Sequence, residues 1–264
     1  MSDGAQFSGT DQEGRVYQAP SELWEENKDG DGSHENWYKK AVAYWDQQEP
    51  TYNGVLGGFG FVSEIDIRDS KALLEKVMKP ALDEVARGAR SLAVLDCGAG
   101  VGRVTNELLL FLFQEVDLLE PSKPLLECAR KHLTSGKVAG VPAGHRAVNF
   151  YCTGLQEHVF ETGRYDVIWI QWCLLYLTDA DVPVMLERAA AGLKPGGFVV
   201  FKENVCKEGF VVDNDDSSLT RSNSYLLDLI NRSGWTLLQS AKQKNFPKDL
   251  FDVRMYVIKP RAAA

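Results

Sequence analysis

Val94-Leu95-Asp96-Cys97-Gly98-Ala99-Gly100-Val101-Gly102-Arg103 reads as an apolar strand running into a glycine-rich turn and then a helix. Glycines at 98, 100 and 102 let the backbone turn tightly and approach a ligand without a Cβ in the way, and the free amides of a helix start supply donors. A dinucleotide-binding fingerprint needs its third glycine at position 103, where this chain has Arg103. That substitution favours S-adenosylmethionine, which has no pyrophosphate to cradle. Taken alone, the motif also fits an ordinary strand-to-helix turn with incidental glycines.

Outward from this turn the chain alternates. From Ser91 onward, strands are expected near 92–96, 116–120, 147–152, 165–171 and 197–203, with two more near the C-terminus. Helices are expected near 102–112, 123–133, 181–192 and 219–232, one of them closed by Gly192-Leu193-Lys194-Pro195-Gly196-Gly197. This alternation predicts an α/β fold: a doubly wound, seven-stranded, mostly parallel Rossmann-like sheet over residues 91–264. Ahead of it, Trp37, Tyr38, Ala41, Val42, Tyr44 and Trp45 recur at helical spacing until Pro50 limits the helix. A glycine- and aromatic-rich loop, Leu56-Gly57-Gly58-Phe59-Gly60-Phe61, and a helix near 70–87 complete an N-terminal helical cap over 34–90. Residues 1–33 are polar, glycine-punctuated and poor in aliphatics, so they are expected to be a disordered acidic tail without chemistry.

Composition excludes several functions. The 264 residues carry a net charge of −8, which disfavours a nucleic-acid partner and leaves room for a cationic one. Five cysteines without CxxC spacing imply neither a disulfide framework nor a zinc site, and fit reduced thiols in the cytosol or nucleus. No stretch has the apolar run of a membrane span, and no N-terminal secretion signal is evident.

In an open sheet of this kind, ligands lie beyond the carboxyl ends of the strands, near the point where strand order reverses. Glu120 ends the second strand, twenty residues after Gly100, where a carboxylate accepts hydrogen bonds from ribose hydroxyls. Leu155 and Gln156 follow the third strand and would edge an adenine. Tyr165-Asp166-Val167-Ile168-Trp169-Ile170-Gln171-Trp172 delivers Gln171 to the charged end of a cofactor and Trp172 to a substrate channel, unless Trp172 is core filler.

The whole constellation resembles the α-N-terminal protein methyltransferases, which methylate the N-terminal amine of proteins that begin with a small residue followed by Pro-Lys. The resemblance runs from about Trp37 to Val257. It rests on Tyr44-Trp45, Leu56-Gly57-Gly58 with Phe59-Gly60, the Asp96-to-Arg103 turn, Gly154-Leu155-Gln156, Ile168-to-Trp172, Lys202-Glu203-Asn204 and Asp213 through Ser218. It implies a class I fold with S-adenosylmethionine as cofactor and S-adenosylhomocysteine as product. By resemblance Gly98, Gly100 and Arg103 meet the methionine part of the cofactor, Glu120, Pro121 and Ser122 its ribose region, Leu155 and Gln156 its adenine, and Gln171 its reactive end. Trp45, Leu56, Gly57, Trp172, Asn204, Asp213 and Ser218 would line the peptide groove. The partner it implies is a protein or peptide N-terminus beginning X-Pro-Lys, with X being Ala, Ser or Pro, met by a monomer without nucleic acid or membrane.

Asp216 would meet the reacting amine. Only an unprotonated amine has a lone pair to attack a sulfonium methyl, and an α-amine has a reference pKa of about 7.7–8.0. A carboxylate beside it can orient the amine and accept its proton. The alternative for the acidic run Asp213-Asn214-Asp215-Asp216 is a turn capping the helix expected from Leu219, and Asp215 and Ser217 are assigned to that lesser role. Two departures from the family stand out. Tyr176 occupies the position of a usual histidine near the amine, where it is expected in the catalytic site to position the amine by a hydrogen bond, a phenol being a poor base at neutral pH. Phe251 replaces a usual tyrosine near the peptide groove. His132, His145 and His158 are expected on the surface, outside the site. Two other functions stay open on sequence: a small-molecule methyltransferase, and a cofactor-binding homologue with weak or lost catalysis. A nicotinamide oxidoreductase is disfavoured by Arg103.

Overall fold

The computed structural model describes residues 7–136 and 138–261. Short elements lead: strands β1 (Gly9–Asp11) and β2 (Val16–Tyr17), then helices α1 (Pro20–Glu26), α2 (Glu35–Asp46), α3 (Tyr52–Val55), α4 (Ser63–Val77) and α5 (Lys79–Ala86). Strand β3 (Ala93–Cys97) enters the glycine turn, followed by a π-helical turn (Thr105–Leu109), α6 (Leu110–Leu112), β4 (Glu115–Leu119), α7 (Lys123–Thr134), β5 (Arg146–Tyr151) and β6 (Tyr165–Gln171). Then come α8 (Asp181–Gly192), β7 (Leu193–Val205), a hairpin of β8 (Phe210–Asp213) and β9 (Ser218–Arg221), α9 (Asn223–Arg232), β10 (Trp235–Lys242) and β11 (Asp252–Pro260).

The large sheet has the order β10-β11-β7-β6-β3-β4-β5, with β3 to β7 parallel and β10 and β11 antiparallel. Strands buried on both faces read as continuous apolar runs, and β3 and β6 are buried throughout. Side chains alternate between two cores: Leu95, Ile168 and Ile170 face one layer of helices, and Val94, Val167 and Trp169 the other. Strand order reverses at β3, between β4 and β6, which fixes where a ligand crevice opens.

Four expectations need correction. The helix expected near 70–87 is two helices, because Pro80 near the start of α5 has no N–H to continue α4. The strand expected at 197–203 runs from Leu193 to Val205. Helix α9 begins at Asn223, not near Leu219, capped by the Ser222 hydroxyl; the acidic run instead turns the β8–β9 hairpin. The stretch expected to be a disordered tail folds between residues 9 and 26: β1 pairs with β2 and with β8, giving a four-stranded sheet in the order β2-β1-β8-β9. Its few apolar side chains suffice because Tyr17 and Leu23 share a separate core with Trp37, Phe210, Val212, Leu219 and Tyr225. Residues 1–6 of that tail lie outside the described residues.

Candidate active site

A cavity of about 930 Å³ opens at the carboxyl edge of β3, β4 and β6, a volume suited to a cofactor and part of a substrate. Its floor is the glycine turn. The amides of Gly98 and Ala99 donate to the Leu119 carbonyl at 2.8 and 3.0 Å, tying the turn to the end of β4. Gly98 has φ +70°, and a Cβ there would fall 2.7 Å from Cβ of Cys173, so only glycine fits. Glu120 accepts from the amides of Gly100 and Ser122, both at 2.8 Å, one on each carboxylate oxygen. Each oxygen keeps a lone pair for a ligand hydroxyl. Burial pushes the Glu120 carboxyl up to about 7 despite those two donors. Pro121, Leu155, Gln156 and Gln171 also line the cavity. Ser122 does not; it sits behind the wall and donates to Asp46 at 2.7 Å.

Behind the turn lies a buried ionic cluster that the sequence reading missed. Asp66 of α4 is completely buried. It pairs with Arg103 at 2.9 Å and with Lys202 of β7, and accepts from the Gln171 amide at 2.9 and 3.0 Å. Burial raises the Asp66 carboxyl, but the charges of Lys202 and Arg103 outweigh that and hold it below the ordinary range. Two cations therefore face one buried carboxylate. The guanidinium of Arg103 also donates to Ser63 at 3.1 Å while lining the cavity, so it presents surplus positive charge to an anionic ligand group. Gln171 lines the same wall with its amide N–H engaged by Asp66 and its carbonyl accepting from Trp169 at 3.2 Å.

The opposite end of the cavity is aromatic. Trp45 and Leu56 come from the helical cap, Trp172 and Tyr176 from the segment after β6. Trp172 adopts φ +49°, a left-handed conformation costing about 1–2 kcal/mol for a non-glycine residue. That bend, held by its amide donating to the Lys202 carbonyl at 2.9 Å, turns the indole to donate to Asn204 at 3.1 Å. Glu203 braces the next turn, accepting from the amides of Cys173 and Leu174 at 3.0 and 2.9 Å. Burial pushes the Glu203 carboxyl up to about 8.

A short relay leaves the cavity here. The Trp45 indole N–H donates to the Tyr176 hydroxyl at 2.8 Å, and that hydroxyl donates to Oδ2 of Asp216 at 3.0 Å. Oδ1 of Asp216 is buried without a partner. Burial raises the Asp216 carboxyl, with Asp213 adding to the shift and donors from Ser218 and Tyr176 opposing it. Burial, reinforced by the Asp216 charge, raises the Tyr176 phenol well above its ordinary value, so it stays protonated.

The structure brings together Gly98, Gly100, Arg103, Glu120, Pro121, Leu155, Gln156, Gln171, Trp45, Leu56, Trp172 and Tyr176 around one cavity. Asp216 and Asn204 do not line it themselves; they stand one residue back, hydrogen-bonded to Tyr176 and Trp172. Gly57 follows Leu56 just outside, and Asp213 and Ser218 face one another where the hairpin turns. Phe251 stands in the loop ahead of β11, 41% exposed. His34, which sequence gave no reason to single out, lines the cavity. His158, expected on the surface, is buried between the rings of Tyr151 and Phe160. Its two aromatic neighbours come from separate segments, so no local pattern announced the burial.

A parallel sheet with an antiparallel last strand seated beside β7, a glycine turn at the reversal point and an acidic residue ending the next strand define a class I S-adenosylmethionine-dependent methyltransferase. The cofactor fits the residues present: Glu120 and Arg103 offer an acceptor and a cation on the cavity, and Gly98, close against Cys173, keeps the turn in a left-handed conformation that glycine adopts without strain. Residues 33–259 match the family described as AdoMet dependent proline di-methyltransferase, and the chain belongs to that family. It is 44% identical over 252 residues to alpha N-terminal protein methyltransferase 1 of Arabidopsis thaliana, covering 95% of this chain and 90% of that one. It is 38% identical over 224 residues to N-terminal Xaa-Pro-Lys N-methyltransferase 1 of Danio rerio, covering 85% and 96%. A solved SAM-dependent methyltransferase of Leishmania major superposes with a TM-score of 0.83 at 35% identity, covering 98% of both chains.

Proposed function

We propose that this methyltransferase acts on the free α-amine of protein N-termini beginning X-Pro-Lys, with X small, and that Asp216 is the residue that orients the amine and takes its proton. The observation that carries this reading is the unpartnered Oδ1 of Asp216, held in place through Oδ2 by a protonated Tyr176. The relatives from Arabidopsis thaliana and Danio rerio support it by their names, the second naming Xaa-Pro-Lys. Bound S-adenosylmethionine supplies an electrophilic methyl group on a sulfonium sulfur. Arg103 holds the cofactor's carboxylate, Glu120 its ribose, and Leu155 and Gln156 its adenine. Trp172, Trp45 and Leu56 exclude water around the amine, and the acidic turn with Asp213 offers a counter-charge to the lysine at substrate position three.

Tyr176 is not the base in this reading. Its hydroxyl is spent between Trp45 and Asp216, so it positions the carboxylate. Asp216→Asn tests the assignment cleanly, because the amide oxygen still accepts from Tyr176 and the fold is kept. Turnover of a Ser-Pro-Lys peptide should fall by about 10²–10⁴, the range for a lost general base, with cofactor affinity nearly unchanged. An equal loss of cofactor affinity would remove Asp216 from the amine.

A further inference from the structure

Residues 9–17 lie outside the stretch that matches the family, yet they are built into the sheet of the hairpin that carries Asp216. Strand β1 runs parallel to β8 with Gly9 opposite Phe210, Thr10 opposite Val211 and Asp11 opposite Val212. The amide of Gln12 donates to the Val212 carbonyl at 3.1 Å and that of Phe210 to the Ser8 carbonyl at 3.2 Å. The approach is close at both ends: a Cβ on Gly9 would meet the Phe210 ring at 2.4 Å, and one on Gly209 the Ser8 carbonyl oxygen at 1.6 Å. A lone two-stranded hairpin is marginal in water, whereas here β8 is an inner strand flanked by β1 and β9.

Asp11 joins the two turns. Its Oδ1 accepts from the amides of Glu13 and Arg15, both at 2.9 Å, which closes the turn between β1 and β2. Its Oδ2 accepts from the Asn214 side chain at 3.2 Å, two residues from Asp216. The segment braces Tyr176 as well. Trp24 of α1 packs edge-on against Trp37 with ring centroids 5.3 Å apart, and the Trp37 indole donates to the Tyr176 carbonyl at 2.8 Å.

We propose that residues 9–26 are a working part of the active site, and that Asp11 is a positioning residue which sets the hairpin turn so that Asp216 meets Tyr176 and the substrate amine. This rests on the N-terminal methylation reading for its kinetic consequence and not for its geometry.

The test uses the full chain. N214D sets two carboxylates against each other, and adding D11N restores a hydrogen bond with donor and acceptor exchanged. N214D should lower kcat on a Ser-Pro-Lys peptide about fivefold, the worth of one hydrogen bond, with the cofactor KM unchanged. It should also speed amide exchange across residues 210–221. D11N/N214D should recover both, and D11N alone, against which the Asn214 amide can turn to offer its oxygen, should lose less than N214D does. Wild-type kinetics and exchange in N214D would overturn the proposal. So would a loss that D11N does not recover, or a D11N rate well above wild type, which would trace the effect to bulk charge. A wild-type protein that methylates no peptide defeats the N-terminal substrate reading instead, and exchange of the hairpin then decides the coupling by itself.

Discussion

Tyr176→Phe removes one oxygen atom and tests how the carboxylate is held. The hydroxyl makes two bonds, accepting from Trp45 at 2.8 Å and donating to Asp216 at 3.0 Å. A bond to a charged acceptor is worth about 1.5–3 kcal/mol, and the half-buried site lets water replace part of it, so a net loss of about 1.5 kcal/mol, or roughly tenfold in kcat, is expected. The pH dependence carries more information. Donation from Tyr176 lowers the Asp216 carboxyl against the upward push of burial, so without it the carboxyl rises further. The ionised base is then lost at a higher pH, and the acid limb of the rate profile moves up while the alkaline plateau recovers part of the rate. Steady-state rates on a Ser-Pro-Lys peptide between about pH 6 and 9 measure this, a window that brackets the α-amine. Unchanged rates and an unshifted limb would refute the relay, and a matching loss of cofactor affinity would make Tyr176 a packing residue.

Glu120 holds a proton that cofactor binding would displace. Its carboxyl stands near 7 when buried, above its unfolded value, so its favourable contribution to folding is present at acid pH and disappears as pH rises through about 7. Ribose hydroxyls favour the ionised form, so cofactor affinity should increase up to about pH 7 and then level off, with proton release visible by calorimetry in two buffers; Glu120→Gln should abolish that dependence. Asp66→Asn strands Arg103 and Lys202 without their buried counter-charge and should cost about 3–5 kcal/mol of stability, read by denaturant unfolding. A loss below about 1 kcal/mol would mean that the cluster is solvated. Gly98→Val forces a branched side chain at φ +70° into Cys173 and should abolish cofactor binding, measured by titration, while peptide affinity persists.

What the sequence made legible was local. The glycine turn, the apolar runs of β3 and β6 and the offset from Gly100 to Glu120 each occupy one short window, and they place the crevice. Strand β9 reads as a helix start because Ser217-Ser218 mimics a cap before Leu219; the pairing of β8 and β9 is decided by Phe210, Val212 and Leu219 joining a core with Tyr17 and Trp37. Strands of two and three residues with a partner two hundred positions away leave no periodicity, so residues 9–26 looked unstructured. Asp66 looked like one more acid on an amphipathic helix, since its partners stand on β3's turn, β6 and β7. The replacement of histidine by Tyr176 was visible, but not that Trp45 and Asp216 use both sides of its hydroxyl.

The reacting nucleophile in this mechanism is a free N-terminal amine. Purified protein incubated with S-adenosylmethionine and a Ser-Pro-Lys peptide, beside an N-acetylated copy, should add mass in steps of about 14 Da to the free peptide alone, because acetylation removes the only amine whose basicity differs between the two. Gain on both peptides, or on neither while the cofactor still binds, would contradict it.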